Sequence, residues 1–277
     1  MSNIDLPITQ PSDEFDKHLN LEFNNRIFFS GIFGSGKTYF LRKFFEQRQD
    51  KYFTIYLSPV HYAAAYDDDI FEFIRHDIIF KLTTEFPELY RAIKEEAEGE
   101  KQQPEPAEFI QTKIPEIIKG LVTMLPNGKS IVGGVDRVQD ALAEYETRAQ
   151  TLLDKIQETS EKYLYNPGVM INVFIEEIIT ILSEFDEGED KVKKEKVLII
   201  DDLDRVDPGH IFRLLNIFSV HFDPDNEQGN KFGFDKVILV GDIDNVRRIF
   251  HAKYGSNVDF SGYIDKFYSR EVFRFNN

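Results

Sequence analysis

The feature that most limits what this chain can fold into is Gly31-Ile-Phe-Gly34-Ser-Gly36-Lys37-Thr38, a full match to G-x-x-x-x-G-K-[ST]. The apolar run at 26–30 before it reads as a strand, and residues 38–48 after it read as a helix. In that setting the glycines let the backbone wrap without Cβ clashes, so that successive N–H groups converge on an anion. The helix that follows turns its positive dipole end toward the same point. Lys37 can place a charge on the β and γ phosphates, and Thr38 can offer a hydroxyl to Mg²⁺. Gly31, Gly34, Ser35, Gly36, Lys37, Thr38 and Tyr39 are therefore the expected nucleotide contacts.

A phosphate loop of this kind needs a second group on the metal side, and Val197-Leu-Ile-Ile-Asp201-Asp202 has the pattern for it: an apolar strand ending in two carboxylates. Asp201, at the carboxyl end of a buried strand beside the loop, is expected to hold Mg²⁺ together with Thr38. Asp202 is expected to orient and deprotonate an attacking water. The plainer alternative is that both are loop or cap acids. A third run, 237–240, ends in Gly241-Asp242, and Asp242 could sense the γ-phosphate or cap the helix expected from 243. The expected catalytic set is Asp202, Lys37 and Asp242. Arg205 could reach a neighbouring subunit as an arginine finger or pair with Asp204, the pairing being preferred; Arg247, Arg248 and Lys266 read as solvated. A guanine signal, N-K-x-D, is met only by Asn230-Lys231-Phe-Gly-Phe-Asp235, which has two residues too many and precedes a strand, so adenine is favoured.

Runs that are apolar on successive residues suit parallel strands covered on both faces. With a fourth strand at 52–57, a fifth at 271–275, and helices at 69–86, 210–222 and 243–254, the pattern predicts an α/β, doubly wound parallel sheet flanked by helices. Asp67, Asp68 and Asp69 are placed to cap the helix from 69. Residues 87–196 carry no strand signal and read as a large all-helical insertion between residues 1–86 and 197–277, the two parts of the core. Within it, Val135, Val138, Leu142, Tyr145, Ala149, Leu152, Ile156 and Tyr163 trace an apolar seam, and 170–185 is apolar nearly all round.

Charge and cysteine content narrow the function. Lys and Arg number 33 against 49 Asp and Glu, a net charge of −16, which repels phosphate backbones and disfavours direct nucleic-acid binding. Zero Cys excludes disulfides, thiolate metal sites and a cysteine nucleophile. No leader pattern opens the chain, and no run approaches the roughly 18 apolar residues of a membrane span, so a cytoplasmic protein is expected. The acidic surface points to protein partners, engaged through the helical insertion, in a homo- or hetero-oligomer.

Phe28-Phe-Ser-Gly31 running into the loop, Val197 to Arg205 with its Asp-Asp-Leu-Asp-Arg string, Val237-Ile-Leu-Val-Gly-Asp242, Tyr263-Ile-Asp-Lys266-Phe and Val272-Phe-Arg-Phe275 together resemble the KAP family of P-loop NTPases. Residues 59–74 also look like bacterial members. The resemblance covers roughly 20–85 and 190–275. It implies an ASCE/AAA+-like P-loop fold and an ATPase, with Lys37 and Thr38 at the phosphates and Mg²⁺, Asp201 at the metal and Asp202 as the catalytic acid. The family's links to plasmid and phage exclusion imply a defence role. Many relatives carry transmembrane helices in the insertion, and this sequence has none. Relatives also continue into a helical lid, whereas this sequence closes at Asn277, so a truncated or unusually short member is expected.

Overall fold

Strands that are apolar on every residue need cover on both faces, and the computed structural model places three such runs side by side at the centre of a five-stranded sheet. It describes residues 9–59, 70–97, 112–124, isolated positions between 139 and 147, 167–184, 193–220 and 232–276. The chain divides into two compact units, Met1–Ile74 with Lys194–Asn277, and Arg75–Lys193.

The first unit contains α1 (Thr9–Leu19), β1 (Arg26–Ser30), α2 (Lys37–Glu46), β2 (Tyr52–Leu57), β3 (Glu195–Ile200), α7 (Pro208–Val220), β4 (Lys236–Gly241), α8 (Ile243–Tyr254), the short α9 (Phe260–Ile264) and β5 (Phe273–Arg274). Helix α3 (Ile70–Glu85) begins in this unit and runs into the second. All strand pairs are parallel, in the order β2-β3-β4-β1-β5. The carboxyl ends of the strands therefore share one edge, where ligands of open α/β sheets bind. The expected α/β sheet is present. The last strand is shorter than expected, two residues instead of 271–275.

Alternation sorts the strand residues into two buried layers. Ile27, Phe29, Val197, Ile199, Ile238 and Val240 face α1 and α2, joining Phe15, Leu19, Phe40, Leu41, Phe44 and Phe45 in one core. Phe28, Leu198, Ile200, Val237 and Leu239, on the opposite face, are at most 1% exposed. Helix α2 buries Phe40, Leu41, Phe44 and Phe45, a stripe of helical spacing that clamps the helix after the phosphate loop onto the sheet. Helix α1 was not expected from the sequence. Phe15 and Leu19, one turn apart, are the buried apolar side chains it brings to this core. Phe15 nonetheless lies among the rings of Phe29, Phe40, Phe44, Phe45 and Phe273, with centroids 4.9 to 6.4 Å away.

In the second unit, α4 (Pro87–Ala97) packs on α5 (Ile114–Met124), and α6 (Pro167–Glu184) follows. The first two approach closely at Gly120, where a Cβ would lie 3.3 Å from that of Ala92. The buried Arg75 donates to Asn172 at 2.8 Å. No helix among the described residues is long and apolar enough to cross a membrane. The expected caps Asp67 to Asp69 and six of the eight seam residues, all but Leu142 and Tyr145, lie outside the described residues.

Candidate active site

The phosphate loop leaves β1 level with the tip of β4. Ser30 pairs with Gly241, and the Gly31 N–H donates to the Gly241 carbonyl at 3.1 Å. Two different constraints require glycine. Gly34 and Gly36 have φ of 79° and 85°, left-handed values that cost other residues energy. Gly31 is required by space: a Cβ there would meet Ser35 Oγ at 3.0 Å and the Lys37 chain at 3.2 Å. Helix α2 then starts at Lys37 with no side chain capping its N-terminus, so its first amides keep their donors for a ligand.

Lys37 is 9% exposed and folds back under the loop, its Nζ donating to the carbonyls of Gly31 (2.7 Å) and Ile32 (3.1 Å). Ser35 Oγ is buried without a hydrogen-bond partner. A glycine cradle, an uncapped helix start, a buried ammonium and an orphan hydroxyl fit a polyphosphate. Tyr39, also expected at the nucleotide, stands in the first turn of α2 with 39% of its surface exposed.

Asp201 follows β3 and is 7% exposed. In the sheet, β4 lies between β3 and β1. The carboxylate still reaches across, accepting from the Thr38 hydroxyl. It also accepts from the Asp202 N–H at 2.8 Å. Burial pushes the Asp201 carboxyl above its ordinary value, and the neighbouring Asp202 charge adds to this, while Thr38, the Asp202 amide and Lys37 act against it. A buried carboxylate held at that cost, touching the loop threonine, suits a cation. Among the described residues no group of three or more His, Cys, Asp and Glu is arranged to hold a metal, so Mg²⁺ here would depend on Thr38, Asp201 and phosphate oxygens.

Asp202 takes φ 53°, ψ 36°, and opens a short 3₁₀ turn, Leu203–Arg205. The preferred partner of Arg205 was Asp204; in the structure Arg205 Nη1 donates instead to Asp202 Oδ2 at 3.0 Å, while Asp204 accepts from Asn245 at 3.3 Å. Residues adjacent in sequence do not face one another in such a turn, whereas i and i+3 do. Asp242 is the N-cap of α8, accepting from the Asp244 and Asn245 amides at 2.9 and 3.4 Å. It also lines a cavity of about 400 Å³ with residues 30–35, Asp244 and Arg274. Capping and proximity to the loop thus occur together. Arg274, on β5 opposite Ser30 and 3.7 Å from Asp244, was not anticipated; the sequence signal for it was only its place at the end of the last strand.

No curated protein and no solved structure matches the chain. The family model described as the KAP family P-loop domain matches residues 20–270, from before β1 to beyond α9, and so takes in the loop, both strand-end acids and Asp242. That match covers nine-tenths of the sequence, and the chain belongs to the KAP family of P-loop NTPases.

Proposed function

We propose that the chain binds ATP with Mg²⁺, transfers the γ-phosphoryl group to water, and uses the nucleotide state as a switch on protein partners. The observation that carries this is the hydrogen bond between Thr38 and Asp201, residues from the two chain segments of the first unit, where Lys37 is already buried in the loop. In this reading the loop amides and Lys37 hold the β and γ phosphates, and Thr38 and Asp201 hold the cation. Mg²⁺ supplies charge neutralisation at the phosphate oxygens. Asp202 accepts a proton from water as its oxygen attacks the γ-phosphorus and the bond to the β–γ bridging oxygen breaks. Asp242, at the tip of β4, stands where a change at the γ position can be passed to α8. Residues 87–196 form the insertion that engages a protein effector, in a homo- or hetero-oligomer, and the family resemblance supports a role in bacterial phage or plasmid defence.

A second reading, a nucleotide-dependent scaffold with little turnover, is favoured by one observation: Asp202 is already engaged by Arg205. The two are separated by phosphate release with ATP and Mg²⁺. Asp202→Asn should lower turnover by about 10²-fold or more with binding retained, and Lys37→Ala should lose binding. Wild-type phosphate release no faster than in Lys37→Ala, with nucleotide still bound by the wild type, sinks the enzyme reading in favour of the scaffold, whereas unchanged turnover in Asp202→Asn removes only the role of Asp202 as base.

A further inference from the structure

We infer that Arg205 is a positioning residue that aims Asp202 within its own chain; this rests on the proposed role of Asp202 as base. Asp202 sits in the left-handed region, which Asp enters more readily than most residues but still at a cost. From there the 3₁₀ turn, with three residues per turn, stacks position 205 over position 202. The Arg205 N–H donates to the Asp202 carbonyl at 3.0 Å, and its guanidinium to Oδ2 at 3.0 Å. Oδ1 has no hydrogen-bond partner among the described residues. A carboxylate pinned by one oxygen presents the other in a single direction, which a base that must meet its proton within about 2.6–3.2 Å requires.

Two neighbours make the arrangement specific. Asp204, the competing acid, is drawn off by Asn245. Gly241 lets the turn approach the β4 tip, since a Cβ there would lie 3.2 Å from Asp204 Oδ1. The Arg205 guanidinium also lies 5.8 Å from the ring centroid of Phe33, an exposed side chain of the phosphate loop. Arg205 therefore spans from the loop to the strand-end acid. With side-chain exposures of 50% and 32%, the Arg205–Asp202 pair adds little to fold stability. Its consequence is where it leaves Asp202.

The test is steady-state phosphate release by the full chain with ATP and Mg²⁺, with nucleotide affinity measured in parallel. Arg205→Ala should lower kcat by about 10- to 100-fold, while KM and ATP affinity stay within about threefold. Arg205→Lys, which restores a cation, should recover most of the loss. Unchanged kcat in Arg205→Ala beside an inactive Asp202→Asn overturns the positioning role and spares the base. Faster turnover in Arg205→Ala makes the pair a brake and overturns it as well. Arg205→Lys as impaired as Arg205→Ala also counts against it. Recovered turnover on mixing Arg205→Ala with Asp202→Asn would place Arg205 at a neighbour's site. No turnover in the wild-type chain, or full turnover in Asp202→Asn, removes the base and this inference with it.

Discussion

Replacing Phe15 by alanine tests whether α1 is part of the platform under the phosphate loop. The Phe15 side chain is wholly buried and meets five aromatic rings. Three of them, Phe40, Phe44 and Phe45, belong to α2, the helix that begins at Lys37. Truncating a buried Phe costs about 3–5 kcal/mol in lost transfer energy and residual cavity. The upper half of that range is expected, because edge-to-face contacts add about 0.5–1.5 kcal/mol per pair beyond area burial. That is a large share of the ~5–15 kcal/mol that holds a typical domain together. The assay is urea unfolding of nucleotide-free protein followed by far-UV circular dichroism, since bound ligand would mask the loss. With a slope of about 2–3 kcal/mol per molar urea, the midpoint should fall by about 1.3–2.5 M. Phe15→Leu, which keeps most of the volume, should cost less than about 1.5 kcal/mol. A loss below about 1 kcal/mol for Phe15→Ala, or equal losses for Ala and Leu, would refute the reasoning, because either shows that the ring cluster does not anchor α1.

Two further perturbations address the loop and the metal-side acid. The Asp201 carboxyl is raised by burial above its ordinary 3.8, so the folded protein holds that proton more tightly than the unfolded chain does. Stability is then lost as pH rises from near that value through the folded one; Asp201→Asn should melt higher than wild type near pH 7 and the gap should close toward about pH 3 in nucleotide-free protein. A gap that is independent of pH, or of opposite sign, contradicts this. Gly31→Ala should push on Ser35 and the Lys37 chain and weaken ATP binding at least about tenfold, whereas Gly34→Ala, with open space around its Cβ, should act mainly through a backbone cost of about 1–2 kcal/mol. Calorimetric titration and melting of the two variants distinguish these effects; equal binding defects with equal melting would mean that the steric and conformational roles are not separate.

Local signals carried much of the site. The phosphate loop is legible because its requirements lie within eight consecutive residues: φ at Gly34 and Gly36, space at Gly31, and a helix that starts at Lys37. The strand-end acids are legible because a run apolar on every residue must stop where the chain becomes polar, so Asp201 and Asp202 mark the carboxyl edge. The weaker readings fail where the deciding partner is remote or the pattern is short. Helix α1 shows too few apolar positions for a periodicity. Its burial depends on a pocket assembled from β1, α2 and β5, and Phe273 of β5 lies 258 residues beyond Phe15 in the chain.

What the sequence by itself determined is the set of parts, a phosphate cradle, an α/β alternation and two adjacent acids, because each follows from neighbouring residues and backbone sterics. Tertiary structure alone decided how they meet. Inserting β4 between β1 and β3 sets the reach over which Asp201 must touch Thr38. The left-handed Asp202 and the 3₁₀ turn after it chose Asp202 over Asp204 as the partner of Arg205. The cause in each case is direction: strand order and backbone dihedrals decide where a side chain points, and spacing along a sequence does not encode that once the deciding neighbours come from elsewhere in the fold.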